Sequence, residues 1–221
     1  AKKIVAHQLE ASEDDIVIEN GEFKVAGTDK TMAFANVALA AYTAHNLPSG
    51  MEPGLKEGAF YDPSNFTFPA GCYICEVEVD PETGKTDIVA YTVVDDFGAT
   101  VNPILLAGQI HGGVAQGIGQ ALAEEAVYSE DGQLVTATFM DYQMPRADLL
   151  PFFHFETRNV PSTTNALGMK GAGEAGTVGS TPAVLNAVVD ALYRAYGISH
   201  IDMTAMPQRI WQAVAQARSA S

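Results

Sequence analysis

The 221 residues carry a formal net charge of −15 and a pI near 4.5, and 47% of them are hydrophobic. So acidic a surface repels phosphate backbones and argues against a nucleic-acid partner; it also favours solubility. The chain is long enough to bury a sizeable core in one large or two small domains, and no apolar run is long enough to span a bilayer.

Residues 1–10 open in helical pattern, with Ile4, Val5 and Leu9 on one face and no Ser, Thr, Asp or Asn to cap the start. A helix that begins uncapped reads as cut, which points to a C-terminal piece of something longer. Residues 15–25 predict a hairpin around Asn20-Gly21, a favoured two-residue turn. A helix follows over about Met32 to Thr43. Residues 45–70, with four prolines and three glycines, have no clear period and read as a long loop or linker. Strands are predicted over 71–80 and 86–95, the second apolar enough to lie centrally in a sheet.

Residues 103–125 read as a helix, with Asn102 as cap and Pro103 in the first turn. It contains five glycines, Gly108, Gly112, Gly113, Gly117 and Gly119. Each costs about 1 kcal/mol against alanine in a helix interior, so close helix packing or contact with a ligand must offset them. A hairpin is predicted around Asp131-Gly132, a strand over 151–157, a glycine-rich loop over 165–180, and helices over about 181–196 and 207–218. Strands and helices without strict alternation give an α+β fold: mixed sheets packed with helices. Residues 1–70 form the first segment, helix–hairpin–helix plus loop, and 71–221 the main lobe.

Gly171-Ala-Gly-Glu-Ala-Gly176 matches G-x-G-x-x-G by letter. A dinucleotide fold needs a strand just before the glycines and an acid about twenty residues on. Pro161–Lys170 is no strand, and the stretch near 196 is helical, so that reading fails; no Gly-Lys-Ser/Thr follows for a phosphate loop either. What remains is Glu174 among glycines, a candidate general base where a ligand can approach the main chain. A helix-capping turn whose glycines serve only packing accounts for the pattern equally well. Lys170 reads as a helper or surface charge.

The other candidates are weaker. Gln109 and Gln116, among glycines, could present amides to a polar heterocycle, or simply face solvent. Cys72 and Cys75 point to opposite faces of a strand, so they cannot readily share a metal or a disulfide. They read as structural thiols suited to a reducing, cytoplasmic compartment. His7, His45, His111, His154 and His200 show no metal-ligand spacing; His111, in the glycine-rich helix, is the one held open. Trp211, Ile210 and Val214 read as core anchors of the last helix. Asp95 and Asp96, beside Phe97-Gly98, read as turn-formers or a ligand-side pair.

Taken together, Glu10–Ile16, Asp96-Phe-Gly-Ala-Thr-Val-Asn-Pro103, Gly108-Gln-Ile-His-Gly-Gly113 and Lys170-Gly-Ala-Gly-Glu-Ala-Gly176 resemble the large, molybdopterin-binding subunit of molybdenum hydroxylases. These are the xanthine dehydrogenase and aldehyde oxidase family, and the aerobic carbon-monoxide-dehydrogenase type looks most alike. The order and spacing of several motifs agree along nearly the whole chain. The resemblance implies a molybdenum–molybdopterin cofactor, of the cytosine dinucleotide form, with Glu174 as catalytic base. It puts Gln109, Gly171, Ala172 and Gly173 beside the cofactor, with Gln116 and Gly117 near it. The reaction implied is hydroxylation of an electron-poor carbon with oxygen derived from water. The implied partners are the remainder of the large subunit, 2Fe-2S and FAD modules on other domains or subunits, and a small-molecule substrate. The other readings are a non-catalytic lobe of a split subunit that docks with the rest of such an enzyme, and an independent binding domain with no molybdenum link. On its own, the chain is expected to be inactive.

Overall fold

The structure is a computed structural model and describes residues 1–220. It divides into two compact units, Ala1–Asp62 and the chain from Pro63 onward.

In the first unit, α1 (Lys2–Leu9) buries Ile4, Val5 and Ala6, and no side chain caps its start. Strands β1 (Ile16–Glu19) and β2 (Glu22–Val25) pair antiparallel about Asn20 (φ 49°) and Gly21 (φ 81°). Two successive positive φ angles define the turn type that matches strand twist, as the sequence predicts. A third strand, β3 (Thr31–Ala33), pairs with β2, and α2 spans Phe34–Thr43. The helix therefore begins two residues later than its apolar pattern suggests. Pairing with Glu22, Phe23 and Lys24 claims Thr31–Ala33, a tertiary contact that overrides local propensity. Ile4, Val5, Ile16, Phe23, Val25 and Val37 form the core of this unit. Residues 45–69 contain no helix or strand.

The second unit is built on a sheet in the order β4-β5-β6. Strand β4 (Ala70–Val79) is antiparallel to β5 (Thr86–Asp96), and β6 (Phe153–Thr157) is parallel to it, so β5 lies centrally as predicted. Cys72 and Cys75 are free, the first exposed and the second half-buried; burial pushes the Cys75 thiol up to about 12. The fold is α+β. Around Gly132 (φ 81°) only the bridge Tyr128–Leu134 forms, so the predicted hairpin reduces to a tight turn.

Helix α3 (Pro103–Leu122) starts as expected, with Asn102 Oδ1 accepting from Leu105 N at 3.1 Å. It packs against α4 (Ala175–Tyr196), the start of α4 lying on the middle of α3: Gly113 meets Gly176, and Gly117 meets Ser180. A Cβ on Gly113 would lie 2.9 Å from Gly176 Cα, and one on Gly117 would lie 2.5 Å from Ser180 Cβ. Ser180 Oγ and Thr177 Oγ1 donate to the Val114 and Gly113 carbonyls at 2.9 and 3.1 Å. Close backbone approach therefore offsets the cost of these glycines. Gly108 and Gly112 have open space instead.

Helix α4 starts six residues before the predicted boundary. Gly176 and Gly179, poor helix formers, mask that start in the sequence, and packing on α3 and Tyr73 secures it. The apolar core joins Ile88, Tyr91 and Val93 of β5 to Ile110, Val114 and Val184 of the two helices. Helix α5 (Pro207–Ala220) buries Ile210 and Val214 completely, whereas Trp211 is 47% exposed. Residues four apart share one helical face and their neighbour is rotated off it, so Trp211 is not the anchor its size suggests.

Candidate functional site

The loop that carries Glu174 is fastened at its base. Asn165 clasps Met169 by both amide atoms, at 2.9 and 3.1 Å. Met169 bridges to Gly98, and Ala99 N donates to Gly168 O at 2.9 Å. Gly98 has φ 63°, and a Cβ there would collide with Gly168 O, so only glycine allows the two segments so close. Lys170 N donates to Phe97 O at 2.9 Å, and its ammonium donates to Asp96 Oδ2 at 2.5 Å. Asp96 Oδ1 accepts from Gly98 N and Val160 N, each at 2.9 Å. The Lys170 hydrogen bond, then those two backbone donors, hold the Asp96 carboxyl down at about 2. Lys170, which the sequence left as helper or surface charge, is an anchor.

Beyond this base the main chain opens. Gly171 and Gly173 are exposed, and a Cβ on either would meet nothing. Ala172 turns inward and packs on the core. The Gln109 amide Nε2, from α3, donates to Gly173 O at 2.5 Å, while its Oε1 has no partner among the described residues. Glu174 is exposed at the start of α4 and makes no capping hydrogen bond there.

Glu174 borders two hollows. One, about 400 Å³, follows the seam between α3 and α4 and is lined by Gln116, Gln120, Thr177, Val178 and Thr181. Its amides and hydroxyls form two rungs: Thr177 Oγ1 donates to Gln116 Oε1 at 3.1 Å and Thr181 Oγ1 to Gln120 Oε1 at 3.2 Å. The other, about 630 Å³, lies between the loop, β4 and α4, with Gly71, Tyr73, Asp95, Gly171 and Val178 on its walls.

The sequence-predicted residues thus fall into two groups. Gln109, Gly171, Gly173, Glu174 and Gln116 gather around the start of α4. Gly117 is buried beneath Ser180, and Ala172 faces the core. The sequence alone does not bring out Gln120, Thr177, Thr181 and Tyr73. The four-residue spacing of Gln116/Gln120 and Thr177/Thr181 marks the seam only because α4 begins at Ala175. His111 is packed edge-on to Phe153 and Phe155, at 5.7 and 6.3 Å between ring centroids, and touches neither hollow. Among the described residues no cluster of three or more His, Cys, Asp or Glu could hold a metal ion. No described helix is long and apolar enough to cross a membrane.

A sheet flanked by two glycine-seamed helices, with a lone acid on an open glycine loop, defines a cofactor-binding lobe. The chain belongs to the molybdopterin cofactor-binding domain family, whose model matches residues 1–151. It is 40% identical to the carbon monoxide dehydrogenase large chain of Hydrogenophaga pseudoflava, over 97% of this chain and 26% of that one. It is also 40% identical to the nicotine 6-hydroxylase large subunit of Paenarthrobacter nicotinovorans, over 95% and 26%. Among solved structures it superposes on reconstituted CO dehydrogenase from Oligotropha carboxidovorans with TM-score 0.91 and 34% identity, over all of this chain and 27% of that one. It superposes on quinoline 2-oxidoreductase from Pseudomonas putida 86 with TM-score 0.89 and 38% identity, over 97% and 28%. The chain spans about a quarter of the length of these relatives.

Proposed function

We propose that this chain is the C-terminal, cofactor-facing part of the large subunit of a cytoplasmic molybdenum hydroxylase, and that Glu174 is its catalytic base. The observation that carries the reading is the grouping of Glu174 with Gln109, Gln116 and the two uncluttered glycines at one helix start.

These residues suit a molybdopterin group. Its pterin is a planar heterocycle with donors and acceptors on its edges. Gln109 Oε1 is free to accept, and the main chain at Gly171 and Gly173 is bare of side chains. The amides of Gln116 and Gln120 line a polar hollow beside them. Gln109 would hold the pterin edge while its own Nε2 keeps Gly173 in place. When bound, the cofactor, in its cytosine dinucleotide form, supplies the two-electron oxidation, with oxygen taken from water.

Glu174 accepts a proton at its carboxylate as the electron-poor carbon of the substrate is hydroxylated. It is held at the reacting centre by a loop fastened through Lys170 and Asp96 rather than by hydrogen bonds of its own. Closure by the rest of the subunit would exclude water from the reacting centre around Glu174. 2Fe-2S and FAD modules on partner domains or subunits would take up the electrons.

Glu174→Gln in the complete enzyme tests the assignment: turnover falls by at least 10³-fold, more than general-base loss alone at its lower bound, while molybdenum and pterin content stay unchanged.

A further inference from the structure

Glu174 is placed from the helix side as well as from the loop side. It is the N-cap of α4, and its carbonyl accepts from Thr177 N and Val178 N, both at 3.1 Å, so its backbone moves with the first turn. Gly179, five residues on and about 7.5 Å along the axis, lies on the ring of Tyr73 from β4. A Cβ at Gly179 would come within 2.5 Å of that ring. Gly179 sits inside the helix, so space rather than backbone conformation calls for glycine there.

The ring is tied at its far end. Tyr73 OH donates to Asp95 Oδ2 at 2.9 Å. Asp95 is 2% exposed, and its Oδ1 fills the place of a side chain at Gly71, its partner across the sheet, where any Cβ would collide with it. Two glycines on different elements are thus vacated for one Tyr–Asp pair. Burial pushes the Asp95 carboxyl above its ordinary range, with the Tyr73 hydrogen bond opposing. An apolar pair of like volume would fill the space without that cost; what the hydrogen bond adds is a fixed ring. Asp95 also adjoins Asp96. Asp96 holds Lys170 at the base of the loop, and Asp95 holds Tyr73 beneath the helix, so both segments that meet at Glu174 are referred to one strand end.

We propose that Tyr73 and Asp95 are positioning residues for Glu174: the tethered ring sets the height of α4 over β4 and so fixes where the Glu174 carboxylate stands. On its other side α4 is set by the contact of Gly176 with Gly113 of α3, so the helix start is wedged between two surfaces that leave no room for a side chain. The proposal rests on the reading of Glu174 as base. The pair acts through Glu174 and leaves the bare main chain at Gly171 and Gly173 to the cofactor.

The test is steady-state turnover of the complete enzyme, with KM and molybdenum and pterin content measured alongside. Gly179→Ala pushes the helix off the ring: kcat falls at least roughly tenfold, the scale of a misplaced reacting group, while KM and cofactor content stay within about twofold of the parent. Tyr73→Leu in the same chain removes the collision and recovers at least roughly threefold of the lost kcat. Tyr73→Phe alone keeps the ring but frees its far end, lowering kcat about three- to tenfold; it serves if Gly179→Ala fails to fold. Unchanged kcat in either single variant would overturn the proposal. So would cofactor lost together with turnover, or no recovery with Tyr73→Leu, because either marks a general packing defect. Turnover lost in Glu174→Gln but kept in Gly179→Ala would sink the positioning role alone, whereas turnover kept in both would sink the base assignment with it.

Discussion

Lys170 and Asp96, 74 residues apart in the chain, are joined ammonium to carboxylate where β5 ends and the Glu174 loop begins. Their side chains are only 13% and 17% exposed. Asp96 also receives two backbone N–H groups, so one carboxylate ties together the strand end, the segment after β6 and the loop.

Removing one partner strands the other in a largely desolvated position. Lys170→Met and Asp96→Asn should each destabilise the chain by about 2 kcal/mol, and the double variant should cost well under the sum. Chemical denaturation of the four proteins measures the coupling; simple additivity would mean the pair does not act as a unit.

Acid should undo the same anchor. Asp96 has its carboxyl held at about 2, below an unfolded value near 3.9. A depressed folded value contributes stability that is complete above the unfolded value and lost as pH falls towards the folded one. The stability gap between the parent and Asp96→Asn should therefore be constant above about pH 5 and shrink between about pH 4 and pH 2. A gap that persists unchanged at about pH 2 would place the anchor elsewhere.

Neighbouring glycines of α3 should respond with opposite sign. Gly112→Ala adds a Cβ into open space and removes a poor helix former, raising stability by about 0.5–1 kcal/mol. Gly113→Ala drives a Cβ to 2.9 Å from both Gly176 Cα and Thr177 N, where backbone rather than a flexible side chain must yield, costing about 1–3 kcal/mol. Thermal unfolding of the two variants decides this; equal shifts of the same sign would show that the seam is not glycine-dependent.

The sequence makes the hairpin, the central strand and the Asn102 cap legible because each depends on near neighbours: Asn20-Gly21, the apolar run through Val93, and Pro103. It also brings forward Glu174 and Gln109 through their neighbouring glycines, of which Gly108, Gly171 and Gly173 stand in open space. It hides what depends on distant partners. β3 exists because Phe23 pairs with Met32. The start of α4 reads as loop because Gly176 makes sense only against α3 and Gly179 only against Tyr73. Lys170 looks like a surface charge until Asp96 is brought beside it, and Asp95 looks like a turn residue until Gly71 and Tyr73 close over it.

The most direct measurement is turnover and cofactor content of the complete enzyme carrying Glu174→Gln, compared with the parent. Glu174 is exposed and makes no capping hydrogen bond, so the change should leave the fold and its stability within about 0.5 kcal/mol of the parent. Turnover lost at full molybdenum and pterin occupancy is the expected result. Turnover retained at full occupancy would contradict the role of Glu174 as catalytic base.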